Sequence, residues 1–151
     1  MLPARHVFTL TGLLLLALCQ HAFAAEEHSK RFGDYEVHYT VLNSTFIKPD
    51  IAQHYGITRG HDRALVNVAI NKLVPGGETT AQSAEVSGSS SDLIHETPLE
   101  FHEVREGDAI YYLAELTFRN RELRSFTINF KPAADVGPYA VKFNQTLYFD
   151  E

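Results

Sequence analysis

Hydrophobic and polar residues alternate along most of this chain, and the alternation predicts β-strands. In 35–41 (YEVHYTV) every second residue is apolar or aromatic, the pattern of a strand with one buried face. Further strands are predicted at 63–74, 79–86, 99–104, 109–118, 123–131 and 139–149. Turn-forming residues separate them, for example Pro75 followed by two glycines. The pattern therefore predicts an antiparallel all-β chain.

Two segments depart from this alternation. Residues 48–56 (KPDIAQHYG) predict one or two helical turns, because Pro49 suits the first helical position and Gly56 suits a left-handed stop. Residues 88–91 (GSSS) are predicted to be a flexible loop inside one domain, since too little chain lies on either side for two cores. Phe46 and Ile47 extend the first strand or begin the next element.

About seven strands in this length favour an immunoglobulin-like or fibronectin-like antiparallel β-sandwich with one short helix. The Cys–Trp–Cys pattern of true immunoglobulin domains is absent, since the chain has one cysteine and no tryptophan. The prediction therefore concerns architecture alone.

Residues 1–24 have the layout of a cleavable secretory signal. A short basic start at Arg5 is followed by the apolar run 12–19 (GLLLLALC) and by small residues at Ala22 and Ala24. Gln20 and His21 end the run too early for a membrane span. Cleavage after Ala24 leaves 25–151 as a single β-sandwich domain. A lipoprotein anchored at Cys19 is the alternative, although Leu18 is a poor residue before the lipidated cysteine.

Charge limits the partners that this chain is expected to have. The formal net charge is −6, and loss of Arg5 with the signal makes it one unit more negative. An acidic balance argues against nucleic acid and against anionic membranes. We expect export to the periplasm, no membrane insertion after signal cleavage, and an unknown periplasmic protein or small ligand as partner.

Catalytic motifs are not found in the sequence. Without Cys19 the chain has no cysteine, and it lacks the G-x-S-x-G and S-x-x-K patterns that hold a nucleophilic serine. The carboxylate pairs Glu100 with Glu103 and Glu106 with Asp108 fall at predicted strand ends and turns, where solvated side chains are expected. We therefore predict that the chain is not an enzyme and needs no cofactor. A hydrolase site assembled from scattered residues is the remaining enzymatic alternative.

Histidines supply the alternative of metal binding. A copper-type site would use some of His54, His61, His95 and His102, because imidazole favours copper, nickel or zinc. No H-x-H or HExxH spacing joins them, so scattered surface histidines are the competing interpretation.

A second copper hypothesis depends on the signal cleavage site. A cut after Ala25 would place His28 third in the mature chain, where a free amine, two amides and the imidazole form a square-planar Cu(II) site. The favoured cut after Ala24 puts His28 fourth and removes this possibility.

The segment 55–61 (YGITRGH) is the sequence's candidate binding loop. It joins two predicted elements and carries Tyr55, Arg59 and His61, and binding residues concentrate on loops held by rigid scaffolds. The structural alternative is a helix end followed by a strand lead-in, with Arg59 in an internal ion pair.

The order of several segments resembles the exported bacterial family catalogued as domain of unknown function 4426. The segments are 32–39 (FGDYEVHY), 43–46 (NSTF), 55–59 (YGITR) with Ala52 before it, 98–101 (PLEF) and 105–113 (REGDAIYYL). Gly60 stands where the family often has a serine after the arginine, so a role that needs a hydroxyl there is in doubt. The resemblance implies export to a Gram-negative periplasm and supplies no activity, cofactor or partner.

These observations favour a non-enzymatic binding or interaction module. Edge strands of such a sandwich can accept a strand from a partner.

Overall fold

The computed structural model describes residues 28–150, which form two antiparallel sheets packed face to face. In chain order the elements are β1 (His28–Phe32), β2 (Tyr35–Asn43), the 3-10 turn η1 (Ser44–Phe46), α1 (Pro49–Tyr55), β3 (Arg63–Leu73), β4 (Thr79–Ala81), β5 (Glu85–Ser91), β6 (Glu96–Leu99), β7 (His102–Glu106), β8 (Ala109–Thr117), β9 (Glu122–Lys131) and β10 (Tyr139–Leu147). The all-β sandwich with one short α-helix is thereby confirmed.

Sheet 1 has the strand order β1-β2-β3-β8-β7, and β4 pairs with the far end of β3. Sheet 2 has the order β10-β9-β5-β6. The chain passes between the sheets at residues 82–84 and 100–101, and again through the turn after β8. Each face of sheet 1 therefore has a different environment: one faces sheet 2, and the other faces outwards.

The core lies between the sheets and follows the alternation read from the sequence. In β2 the residues Tyr35, Val37, Tyr39 and Val41 are buried, while the residues between them are half-buried on the outer face. Sheet 2 contributes large side chains such as Phe126, which is 1% exposed and stacks on Phe143 at 4.9 Å. Burying rings of this size is the main source of stability for a domain without disulfides.

Helix α1 covers one end of the outer face of sheet 1. Gly56 ends the helix with φ 68, a left-handed conformation that glycine adopts without steric cost. Ala52 and Ile57 are buried against Leu65 and Leu113, which point away from the main core. This second apolar cluster leaves the other half of the outer face uncovered.

Two predicted strands are each divided between the sheets. The segment predicted at 79–86 is β4 in sheet 1 followed by the start of β5 in sheet 2, and 99–104 is the end of β6 followed by β7. The apolar alternation changes phase at both crossings, from Ala81 to Ala84 and from Phe101 to Val104, but such a shift also occurs at a bulge within one strand. Together with β1, which was not predicted, this raises the strand number from about seven to ten. Phe46 lies in η1 rather than in a strand.

The prediction of a flexible loop at 88–91 is wrong. These residues are the second half of β5, which pairs with β9 on one side and with β6 on the other. A Cβ on Gly88 would lie 2.5 Å from the Thr127 carbonyl oxygen, so this strand needs glycine at a close backbone approach. Ser90 is 1% exposed and accepts a hydrogen bond from Arg124. Small polar residues thus serve packing here.

The predictions for the signal peptide, its cleavage site and Cys19 concern residues outside the described range. Within residues 28–150, no helix has the length and apolar character needed to cross a membrane.

Candidate functional site

A groove opens on the uncovered outer face of sheet 1, where β3 and β8 diverge. The two strands pair from Arg63↔Thr117 as far as Val68↔Tyr112. Beyond that point the start of β8 pairs with β7, and β3 pairs with β4 from Asn71 onwards. The groove between them has a volume of about 320 Å³, which lies at the lower limit for small-molecule sites.

Polar side chains line this groove because the strand alternation places them on the outer face. They are His38 and Thr40 from β2, Asn67 and Asn71 from β3, and Tyr111 from β8, with Ala69, Ala81, Ala109 and Ile110 between them. Thr40 pairs directly with Asn67 across β2 and β3, and His38 pairs with Ala69. The lining therefore offers hydrogen-bond donors and acceptors around a small apolar floor.

Asn67 has an unsatisfied acceptor in this lining. Its Oδ1 is buried and accepts no hydrogen bond within the described part of the chain. A buried amide oxygen without a donor costs free energy, so such an atom indicates a water or ligand position. An N–H or O–H group in the groove would satisfy it.

A histidine and a glutamate from β2 lie at one side of the groove. The His38 Nε2 lies 3.7 Å from Glu36 Oε2, and both side chains are about 30% exposed. The other polar lining groups, the hydroxyls and amides, carry no formal charge. The arrangement suits an uncharged ligand that both donates and accepts hydrogen bonds.

The groove borders the cluster beneath α1 through a pair of tyrosines. Tyr55 and Tyr111 both pack against that cluster, and Tyr55 lies near Glu106. Burial raises the pKa of Tyr55, and the nearby charge of Glu106 raises it further. Tyr55 therefore stays neutral.

The loop singled out from the sequence is folded against η1. Ser44 is 1% exposed, and its hydroxyl accepts from the Gly60 N–H at 2.9 Å. Arg59 donates to the Thr45 carbonyl at 2.9 Å, so its partner is a backbone oxygen rather than a carboxylate. The His61 ring packs edge-on to Phe149 at 4.8 Å. The binding role of Tyr55, Arg59 and His61 stays a prediction.

The four histidines of the metal hypothesis are exposed and lie on separate elements. His54 lies in the last turn of α1 and contacts the ring of Tyr55, His95 lies in the turn after β5, and His102 begins β7. His61 lies in the loop after α1, against Phe149. Across residues 28–150, no group of three or more His, Cys, Asp or Glu side chains is arranged to hold a metal ion. His28, the residue of the N-terminal copper hypothesis, packs on Tyr39 at 5.3 Å.

Sequence reasoning missed a polar network around Glu103 at the edge of sheet 1. Tyr112 and Ser83 both donate to Glu103 Oε2, at 2.9 and 3.0 Å, and Arg105 donates to Oε1 at 2.6 Å. These three hydrogen bonds, that of Tyr112 above all, lower the pKa of Glu103. The network holds the crossing segment 82–84 in place. Ser83 precedes Glu103 by 20 residues, so no local spacing could have revealed the network.

The sequence matches the family model "Domain of unknown function (DUF4426)" over residues 29–150. A crystal structure of a DUF4426 family protein from Pseudomonas aeruginosa PAO1 is 36% identical in sequence with a TM-score of 0.70, and the alignment covers 83% of this chain and 97% of that chain. Comparison with curated protein sequences gives no match.

Two structures of FetP from uropathogenic Escherichia coli strain F11 share the fold at low sequence identity. FetP as isolated after expression in the periplasm has 13% identity and a TM-score of 0.58, covering 85% of this chain and 99% of that one. A copper-bound FetP variant has 11% identity and a TM-score of 0.55, covering 84% and 93%. These similarities concern the fold alone. The family model and the Pseudomonas structure together assign the chain: it belongs to the DUF4426 family.

Proposed function

We propose that this chain is an exported, non-enzymatic binding protein whose ligand site is the groove between β3 and β8. The unsatisfied Asn67 Oδ1 carries the proposal, because it is a buried acceptor on the wall of the groove. Where β3 and β8 separate, their backbone N–H and C=O groups lose the hydrogen bonds that continued pairing of the two strands would form. A bound ligand would supply hydrogen bonds in return.

The ligand is a small, uncharged molecule rich in hydrogen-bonding groups, such as a sugar or a blocked peptide. Thr40, Asn67 and Asn71 supply hydroxyl and amide groups, and the half-buried Tyr111 supplies an aromatic wall. A strongly charged ligand would need an opposite fixed charge, and the lining contains no carboxylate, lysine or arginine.

The periplasm is the proposed location. The N-terminal signal pattern favours export, and FetP, which shares the fold, was expressed in that compartment. Proteins there meet sugars and peptides in free solution.

A titration followed by NMR tests the binding function. Uncharged sugars and N-acetylated, C-amidated dipeptides are the probes, and the backbone amides of β2, β3 and β8 are the readout. We expect shifts at Thr40, Asn67 and Tyr111. The change Asn67→Ala should weaken binding by about tenfold, since one buried hydrogen bond is lost.

Asn129 offers a matched control on the outer face of sheet 2, where it is half-buried in β9. Asn129→Ala should leave the affinity unchanged. Shifts confined to other surfaces, or equal effects of the two asparagine variants, would contradict the proposal.

Metal binding is the second candidate, supported by the fold that the chain shares with copper-bound FetP. Competition of Cu(II) against a chelator of known affinity tests it. If the site uses His54, His61, His95 or His102, the variant with all four changed to alanine should lose tight Cu(II) binding. Binding no tighter than that of the quadruple variant would exclude this function.

A further inference from the structure

The turn that joins β5 to β6, residues 92–95, carries the two most exposed large apolar side chains of the described structure. Leu93 is 81% exposed and Ile94 is 83% exposed. Single exposed aliphatic residues are common on protein surfaces, whereas two adjacent ones at the tip of a hairpin indicate a contact.

The tip is held in one conformation at an energetic cost. Asp92 Oδ1 accepts hydrogen bonds from the backbone N–H groups of Ile94 and His95, at 3.2 and 2.8 Å. Leu93 has φ 83, a left-handed conformation that is unfavourable for a branched side chain. A strained backbone conformation persists only where the surrounding contacts hold it in place. Such conformations cluster at functional sites.

In the ion pairs around the tip, the carboxylates are largely buried and the arginine Arg119 is exposed. The carboxylate side chains of Asp92 and Glu122 are only 11% and 9% exposed. The Arg119 side chain, which pairs with both of them, is 82% exposed. Arg121 in the same turn is also exposed. The exposed charged side chains beside Leu93 and Ile94 are therefore two guanidinium groups, one of them paired with Asp92 and Glu122, and the single carboxylate of Glu96, in a chain whose net charge is −6.

We propose that this tip, together with Arg119 and Arg121, binds the surface of membranes that contain anionic phospholipids. Leu93 and Ile94 would enter the headgroup region, and the two guanidinium groups would donate to lipid phosphates. The tip is convex and aliphatic with a cationic border, which complements a fluid anionic surface.

Tryptophan fluorescence tests the contact directly, because the chain has no tryptophan of its own. Ile94→Trp places a single fluorophore at the tip. With vesicles of phosphatidylcholine and about one-third phosphatidylglycerol, its emission should move to shorter wavelength. With pure phosphatidylcholine we expect a much smaller shift. The control is Ile51→Trp on α1, where the native side chain is 44% exposed; it should show no shift.

Sedimentation with the same vesicles separates binding from folding. The double variant Leu93→Gly with Ile94→Ser should bind at least about tenfold more weakly. Its melting temperature should not fall, because glycine suits the φ of residue 93. Absence of vesicle binding by the native protein, undiminished binding by the double variant, or an equal shift at residues 51 and 94 would each overturn the proposal.

Discussion

The hydroxyl of Tyr112 donates a hydrogen bond to Glu103 Oε2 at 2.9 Å and accepts one from the Ala84 N–H at 2.7 Å. Tyr112 lies in β8 and Glu103 in β7, while Ala84 belongs to the segment that leaves sheet 1 for sheet 2. One phenol oxygen therefore fixes the place where the chain changes sheets.

Tyr112→Phe should lower the free energy of unfolding by about 1–2 kcal/mol. The change keeps the ring, which is 4% exposed, and removes the only partner shown for the Ala84 N–H in the described residues. Urea unfolding measures the loss. Tyr148→Phe serves as the control, since Tyr148 is 56% exposed, and it should change stability by less than about 0.5 kcal/mol. Equal effects of the two changes would contradict this role.

Acid should weaken the native state through Glu103 and Asp92. Hydrogen bonds from Tyr112, Arg105 and Ser83 lower the pKa of Glu103, and the backbone N–H groups of His95 and Ile94 lower that of Asp92. A lowered native pKa gives stability that is complete above the unfolded value and is lost as pH falls through the native value. The loss therefore begins below the ordinary carboxyl pKa values of 4.5 and 3.8.

Melting temperatures of the native chain and of Glu103→Gln, measured between neutral pH and about pH 2, test this dependence. The variant should be less stable than the native chain at neutral pH, and the difference should shrink in acid. A difference that stays constant with pH would contradict the assignment.

Gly88→Ala should destabilise the sandwich by about 1–3 kcal/mol. The new Cβ would lie 2.5 Å from the backbone oxygen of Thr127, and two paired strands cannot separate locally without losing hydrogen bonds. Thermal unfolding gives the size of the effect. In Gly60→Ala the Cβ would meet the Asp62 and Arg63 side chains, at 3.0 and 3.3 Å, and these can move. The Gly60 variant should therefore be the milder of the two.

Arg124→Ala should cost about 1–3 kcal/mol, because it removes the hydrogen bonds of a charged group to Ser90 and to the Thr117 carbonyl, while Glu122 keeps Arg119 as a partner. Arg124 is 9% exposed, lies 3.3 Å from Glu122, and donates to Ser90 and to the Thr117 carbonyl. Chemical denaturation measures the loss. Arg31→Ala, at an exposed position of β1, should cost less than about 1 kcal/mol. A comparable loss in both variants would show that Arg124 contributes only as a surface charge.

The sequence by itself determined most of the regular elements. The alternation in β2, β3, β8, β9 and β10 follows from the need to bury one face of each strand, and the limits of α1 follow from Pro49 and Gly56. These are local properties, since a side-chain period or a backbone angle depends on neighbours along the chain. The family resemblance likewise rests on the order of local segments.

Only the tertiary structure decided where strands change sheets and where polar residues are buried. The segment 88–91 is a strand because β6 and β9 pair with both of its edges, and its glycine and serines give no local sign of those partners. Asn67 is a candidate binding residue because β8 stops pairing with β3 just beyond it. The tip at Leu93 is a candidate contact because the folded chain brings Arg119 from another turn into an ion pair with Asp92. Such contacts join residues distant in the sequence, and for this reason the sequence pattern could not reveal them.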